Sequence, residues 1–324
     1  MFSYPDIVVH ADWGSNPEKR WMCVAKLASD HSFFVESPEL VGNLDDFWES
    51  IHTRAGSVHA LVGFDFPIGL PRDYAQAAGI RDFKAALEIF GTGDWATFYD
   101  LAREKEEIGI HQPFYPYRPG GTRQAHLLDG LGLSKQSQLL RRCERATSDL
   151  GAASPLFWTL GGKQVGRAAI IGWRDVITPA FQHSDFELKL WPFDGPLSRL
   201  LASNASVVAE TYPASACVQL GFGAPGRSWS KTSQDGRGRH AESLLSWARS
   251  REITLSDSLV SQISDGFGSI SGGEDPFDAM IGLLSMIDVL LRDRDKWVPE
   301  DPAVHNVEGW ILGREFALDG DAAA

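Results

Sequence analysis

The sequence is poor in cysteine, in positive charge and in long apolar runs, and each shortage narrows what the chain can be. Among 324 residues there are three cysteines, Cys23, Cys143 and Cys217. Their odd number and lack of C-x-x-C spacing furnish neither a zinc knuckle nor a disulfide framework, so they read as buried small apolar residues in a reducing compartment. Lys+Arg total 30 against 43 Asp+Glu, a formal net charge of −13. Bulk charge of that sign excludes a coat for nucleic acid or for an anionic membrane, and leaves only local patches for such contacts. The longest apolar stretch, AMIGLLSMIDVLL at 279–291, is interrupted by Ser285 and Asp288 and is too short to span a bilayer. Asp6 stands where a secretory leader would carry basic residues. These features predict a soluble, cytoplasmic protein with no membrane partner.

What is present is ordinary globular material: 43% hydrophobic and 23% charged residues, enough for a substantial core. IVVHADWG at 7–14 reads as a buried strand that delivers Asp12 to its end, and WMCVAKLA at 21–28 and SFFVES at 32–37 continue it as an antiparallel meander. NLDDFWESIHTR at 43–54 has helical spacing of Leu44, Phe47, Trp48 and Ile51 behind an Asn cap. HALVGFDFPIGLP at 59–71 is a second apolar strand, carrying Asp65, and strand–helix–strand order implies a right-handed crossover and an α/β fold. The reading is one domain over 1–324, with a loop-rich and helical insertion at about 80–160. Within it, helices are expected at 81–90 and 94–107, and HQPFYPYRPGGTRQ at 111–124 is punctuated by Pro and Gly. Further helices are expected at 134–148 and 163–181, then strands at 186–191 and 207–213. Helices at 237–251, 256–265 and 272–294 follow, with a closing strand or hairpin at 306–316.

Three apolar strands therefore end in acids, Asp12, Asp65 and Glu210, and the helix at 272–294 opens with Asp275 and Asp278 three residues apart on one face. Strand ends of an open α/β sheet form the crevice that binds ligands, so these acids are expected to converge. A charge in apolar surroundings costs several kcal/mol unless it is paired or bound to metal, and no Lys or Arg stands next to them in sequence. Taken singly, Asp275 before Pro276 is a good helix cap and Asp12 or Asp65 a strand terminator. Taken together they form an all-oxygen donor set suited to hard ions, Mg²⁺ or Mn²⁺.

At these residues the chain resembles the family known as domain of unknown function 429, described as predicted ribonuclease H-like nucleases. The matching segments are A-D-W-G at 11–14, G-F-D-F-P-I-G-L-P at 63–71, E-T-Y-P-A at 210–214 and D-P-F-D-A at 275–279, in the family's order across residues 7 to about 316. The resemblance implies a ribonuclease H-like mixed sheet, an antiparallel meander plus parallel strands, flanked by helices. It also implies metal ligation and catalysis by Asp12, Asp65, Glu210 and Asp278, with Asp275 assisting. The D-x-x-D-A helix is similar to that of RuvC-type junction resolvases. Met280 and Gly282 depart from the bulky aliphatic run usual after D-A, which bears on packing rather than chemistry. Pro67 and Gly69 shape the turn after Asp65, Tyr212 closes over the site and Pro213 ends its strand.

The basic residues are segregated. Residues 111–183 hold nine Lys+Arg against four acids, and residues 226–251 hold six against two. Arg118, Arg123, Lys163 and Arg167, with Tyr115 and Tyr117 as stacking surfaces, are the candidate contacts for a nucleic-acid or nucleotide substrate. The expected activity is two-metal hydrolysis of a phosphodiester by bound water. The rival reading is an ATP-dependent phosphotransferase of the actin, hexokinase and Hsp70 type, using Asp12-Trp13-Gly14-Ser15 as its phosphate loop. A catalytically silent protein of the same fold is the other alternative.

Overall fold

The computed structural model describes residues 3–120, 122–161, 164–227, 229–269, 272–292 and 298–315. Among these residues eight strands make one mixed sheet: β1 (Ile7–Asp12), β2 (Trp21–Leu27), β3 (Phe33–Val35), β4 (Glu39–Leu40), β5 (Ala60–Phe64), β6 (Leu188–Leu190), β7 (Ser206–Glu210) and β8 (Thr254–Leu255). Their order is β6-β7-β5-β1-β2-β3-β8, with β4 paired to β2. β1 is antiparallel to β2 and parallel to β5, β5 is parallel to β7, and β7 is parallel to β6. The inner strands IVVHAD, ALVGF and SVVAE are buried almost throughout, as an apolar run on a strand covered on both faces must be. The chain is α/β, and the expected meander and parallel strands are present.

Alternation along the strands builds two cores. Ile7, Val9, Ala11, Val62, Phe64 and Val208 face one side, with α1 (Phe47–Ala55), α2 (Arg72–Ala77), α3 (Phe83–Ile89) and the central insertion. The stretch expected to be an insertion, about 80–160, contributes α4 (Ala125–Leu131), and after it come α5 (Val165–Ile171) and α6 (Thr178–Phe181), joined through a π-type turn at Gly172–Ile177. Val8, Leu61, Val207 and Ala209 face the other side. There they meet α7 (Leu197–Leu200), α8 (Pro213–Gln219), α10 (Ala241–Arg249), α11 (Asp257–Ser264) and the central α12 (Glu274–Arg292), with α9 (Gln234–Gly238) preceding α10. The departure after D-A is explained by this packing. His10 of β1 is fully buried against α12, and a Cβ at Gly282 would overlap its ring, so a bulky aliphatic residue there has no room.

Several expected elements differ. α1 starts at Phe47 rather than near Asn43, whose side chain instead donates to the Asp46 carboxylate at 3.1 Å. Short 3-10 turns at Gly93–Trp95 and Lys105–Glu107 replace the helix expected over 94–107, and 3-10 turns at Gln136–Leu139 and Arg142–Glu144 replace the one over 134–148. α2 and α4 form where no helix was expected. At the C-terminal side a π-type turn at Val304–Glu308 precedes one isolated bridge, Glu210 to Ile311, in place of a closing strand or hairpin. All three cysteines are free and buried. Among the described residues no helix is long and apolar enough to cross a membrane.

Candidate active site

Sheet register decides which acids meet. Ala11 pairs with Phe64 and Phe64 with Glu210, so the next residues along, Asp12, Asp65 and Thr211, form one row across the three strand ends. Successive side chains point to opposite faces. Ala11 and Phe64 belong to the α1–α3 core, whereas His10, two residues before Asp12, hydrogen bonds α12 through the Ala279 carbonyl at 3.0 Å and meets the Thr211 hydroxyl at 2.7 Å. Asp12 and Asp65 therefore lie on the α12 face, and Glu210 lies one residue out of phase with them.

Glu210 does not join the other acids. Its two carboxylate oxygens accept from Nη1 and Nη2 of Arg141 at 2.6 Å each, and Oε2 also accepts from the Ile68 amide at 2.6 Å. Arg141 is fully buried, donates to the Glu144 carboxylate at 2.9 and 3.0 Å, and reaches the Glu308 carbonyl at 3.1 Å. Glu210 is thus charge-balanced inside the protein, with its acceptor capacity taken by a bidentate guanidinium and an amide. Glu210, expected as a metal ligand and catalytic residue, is placed apart from the aspartates, linking β7 to Arg141 and to the turn after Asp65. Gly69 in that turn has φ of 137° and abuts the Glu308 carbonyl, an approach that only glycine permits.

Asp12, Asp65, Asp278 and Asp275 do gather. The Asp12 and Asp65 carboxyls are hydrogen bonded to one another, and the Trp13 amide donates to Asp65 Oδ1 at 2.6 Å. Burial, and then the charges of Asp65, Asp278 and Asp275, raise Asp12 well above the usual carboxylate range. Burial likewise pushes Asp65 up to about 7 and Asp278 up to about 6. Asp278, only 4% exposed, is contacted by the Lys231 ammonium through Oδ2, while its Oδ1 is buried without a partner among the described residues. Lys231 also pairs with Glu274 at 3.1 Å. Asp275, half-buried, is raised by burial and drawn back down by the charge of Lys19.

Asp65, Asp278, Glu274 and Lys231 line a cavity of about 580 Å³, together with Lys19 and Tyr212. Gly14, Ser15 and Asn16 form part of its wall. Their loop is braced by Arg20, which donates to the Gly14 carbonyl at 2.7 Å and the Ser15 carbonyl at 3.3 Å and lies over the Trp13 ring. Tyr212 lines the cavity, whereas Pro213, expected to end its strand, is the first residue of α8, and β7 stops at Glu210.

The candidate substrate contacts divide. Tyr115 is buried, with its hydroxyl 3.0 Å from His126 Nδ1, so it is core rather than a stacking surface. Arg167 donates to the Tyr117 carbonyl at 2.6 Å and the Thr159 carbonyl at 3.3 Å, and holds that loop in place. Tyr117 is exposed beneath the Arg103 guanidinium, and Arg118 and Arg123 are exposed. Lys163 lies outside the described residues. The basic residues that do face the acids, Lys231 and Lys19, were not singled out from sequence. Lys231 sits in the second basic segment, and that local charge excess was the available signal.

The donor chemistry suits a hard divalent cation: buried oxygens, like charges pressed together and one orphaned carboxylate oxygen on Asp278. The spacing is not that of a formed site, since among the described residues no three His, Cys, Asp or Glu side chains group closely enough to hold a metal. Among the described residues, Lys231 is the cation that pairs with Glu274 and Asp278. No protein-family model, no curated protein and no solved structure matches the chain.

Proposed function

We propose that the protein is a metal-dependent phosphodiester hydrolase of ribonuclease H-like fold, acting on a nucleic-acid strand or nucleotide. The observation that carries this reading is the buried Oδ1 of Asp278, without a partner among the described residues, on a side chain that lines a cavity together with Asp65, while Asp12 ends the adjacent parallel strand. The sheet order supports it: an antiparallel run β1-β2-β3, with β5, β7 and β6 parallel to one another and to β1 on its other side, is the arrangement that the family resemblance implies.

Asp12, Asp65 and Asp278 would hold Mg²⁺ or Mn²⁺, with Asp275 and Glu274 beside them. When bound, such ions supply an activated water and stabilise a leaving oxygen in phosphodiester cleavage. The chain's own residues do the rest. The Trp13 amide fixes the Asp65 carboxylate, and the Arg20-braced loop brings Ser15 and Asn16 to the cavity wall. Lys19 and Gln164 line the same wall and provide a positive charge and amide donors for phosphate oxygens. The cavity volume is that of a small-molecule site, which favours one nucleotide unit or a strand end over an intact duplex.

The test is hydrolysis of end-labelled single-stranded DNA and RNA, and of an aryl phosphodiester, in Mn²⁺ or Mg²⁺. Cleavage is expected, reduced by about a hundredfold or more in Asp65→Asn. Undiminished cleavage in that variant, or phosphate transfer from ATP without cleavage, overturns the reading.

A further inference from the structure

We propose that Lys231 is an internal occupant of the cation site, and that a divalent ion enters only when the Lys231 ammonium leaves Asp278 and Glu274. The inference rests on the metal-binding reading above and adds a competitor for the metal that is part of the chain itself.

The geometry separates a fixed backbone from a movable side chain. The Lys231 carbonyl accepts from Arg237 Nη1 at 2.5 Å, and Arg237, itself buried, also donates to the Gly266 carbonyl at 2.9 Å and the Gly268 carbonyl at 3.0 Å. The loop is thereby pinned to the segment between α11 and α12. The ammonium ends a flexible four-carbon stem, lines the cavity and is 27% exposed, so it has a path to solvent that does not disturb the loop. In place it makes ion pairs with Asp278 and Glu274. One positive charge on a lysine neutralises part of the cluster of Asp12, Asp65, Glu274, Asp275 and Asp278, and leaves Asp278 Oδ1 without a partner among the described residues. A divalent ion offers twice the charge and can take several oxygens at once. Because the lysine-bound state excludes the ion, apparent metal affinity equals the intrinsic affinity multiplied by the fraction of molecules in which the lysine is away.

Two measurements at about pH 8 test this. Mn²⁺ binding, followed by the loss of the free-ion electron paramagnetic resonance signal, is compared between the unsubstituted protein and Lys231→Met. In the unsubstituted protein, the rate of labelling of Lys231 by an amine-reactive reagent is followed by peptide mass spectrometry as Mn²⁺ is added. The expected result is affinity at least about tenfold higher in Lys231→Met, with labelling of Lys231 that rises and saturates with Mn²⁺. Should the variant fold poorly, the labelling alone decides. Equal or weaker Mn²⁺ binding by a folded variant overturns the inference and leaves the metal reading standing. So does labelling that does not rise while Mn²⁺ binds, since the lysine would then act only as a nearby charge. Absence of Mn²⁺ binding by both proteins ends this inference and the metal reading together.

Discussion

The end of β7 and the paired ends of β1 and β5 carry the same kind of side chain in the same kind of sequence, yet they have opposite electrostatics. Glu210 meets a buried guanidinium that matches both its oxygens. Asp12 and Asp65 meet each other, with Asp278 close by and Lys231 as the nearby cation that pairs with Asp278 and Glu274. One cluster is balanced inside the fold and braces it. The other is left with excess negative charge at a cavity, and such an imbalance is held in place by the surrounding packing and is relieved by protons or by a bound cation.

The most severe way to break this contrast is Arg141→Met, which leaves Glu210 and Glu144 buried without their counter-charge. Its expected cost is about 3–5 kcal/mol of folding stability, read from urea denaturation. A loss below about 1 kcal/mol would mean that the pair is not a brace. Glu210→Gln should cost less, about 1–3 kcal/mol, because Arg141 keeps Glu144 and the Ile68 amide keeps an acceptor. Mn²⁺ affinity should stay within about twofold in that variant. A large loss of Mn²⁺ binding would return Glu210 to the metal site.

The smallest effect has the opposite sign. Asp65 and Asp278 have folded pKa values near 7 and 6, above their values in the unfolded chain, so the folded protein binds more protons between about pH 4 and pH 7. Their contribution to stability is present below that window and is lost as pH rises through it. Asp65→Asn keeps an acceptor for the Trp13 amide and gains a donor toward Asp12. It should therefore stabilise the metal-free protein by about 1–2 kcal/mol at pH 8 and hardly at all near pH 4. Thermal melts in a chelator across that range check it, and parallel curves for the two proteins would refute the unbalanced cluster.

Much of this was legible in the chain. Apolar runs placed β1, β2, β5 and β7, the D-P-F-D run opened α12, and Asp12, Asp65, Asp275 and Asp278 were identified by their place at the ends of apolar runs. The insertion was harder to read, because its helical stretches are short 3-10 turns held by tertiary contacts rather than by a sustained period. Glu210 looked equivalent to the aspartates because strand ends alone carry no phase.

What the sequence by itself determined is local: which segments extend, which coil, and that buried acids would need partners. Tertiary structure decided which partners they found. Parallel register, set by packing on both faces of the sheet, put Asp12, Asp65 and Thr211 in one row and turned Glu210 to the other side. The chain's return then brought Arg141, 69 residues earlier, to Glu210, and Lys231, 47 residues earlier, to Asp278. Electrostatic pairing depends on distance in space, and no pattern along the chain encodes that distance before the sheet has formed.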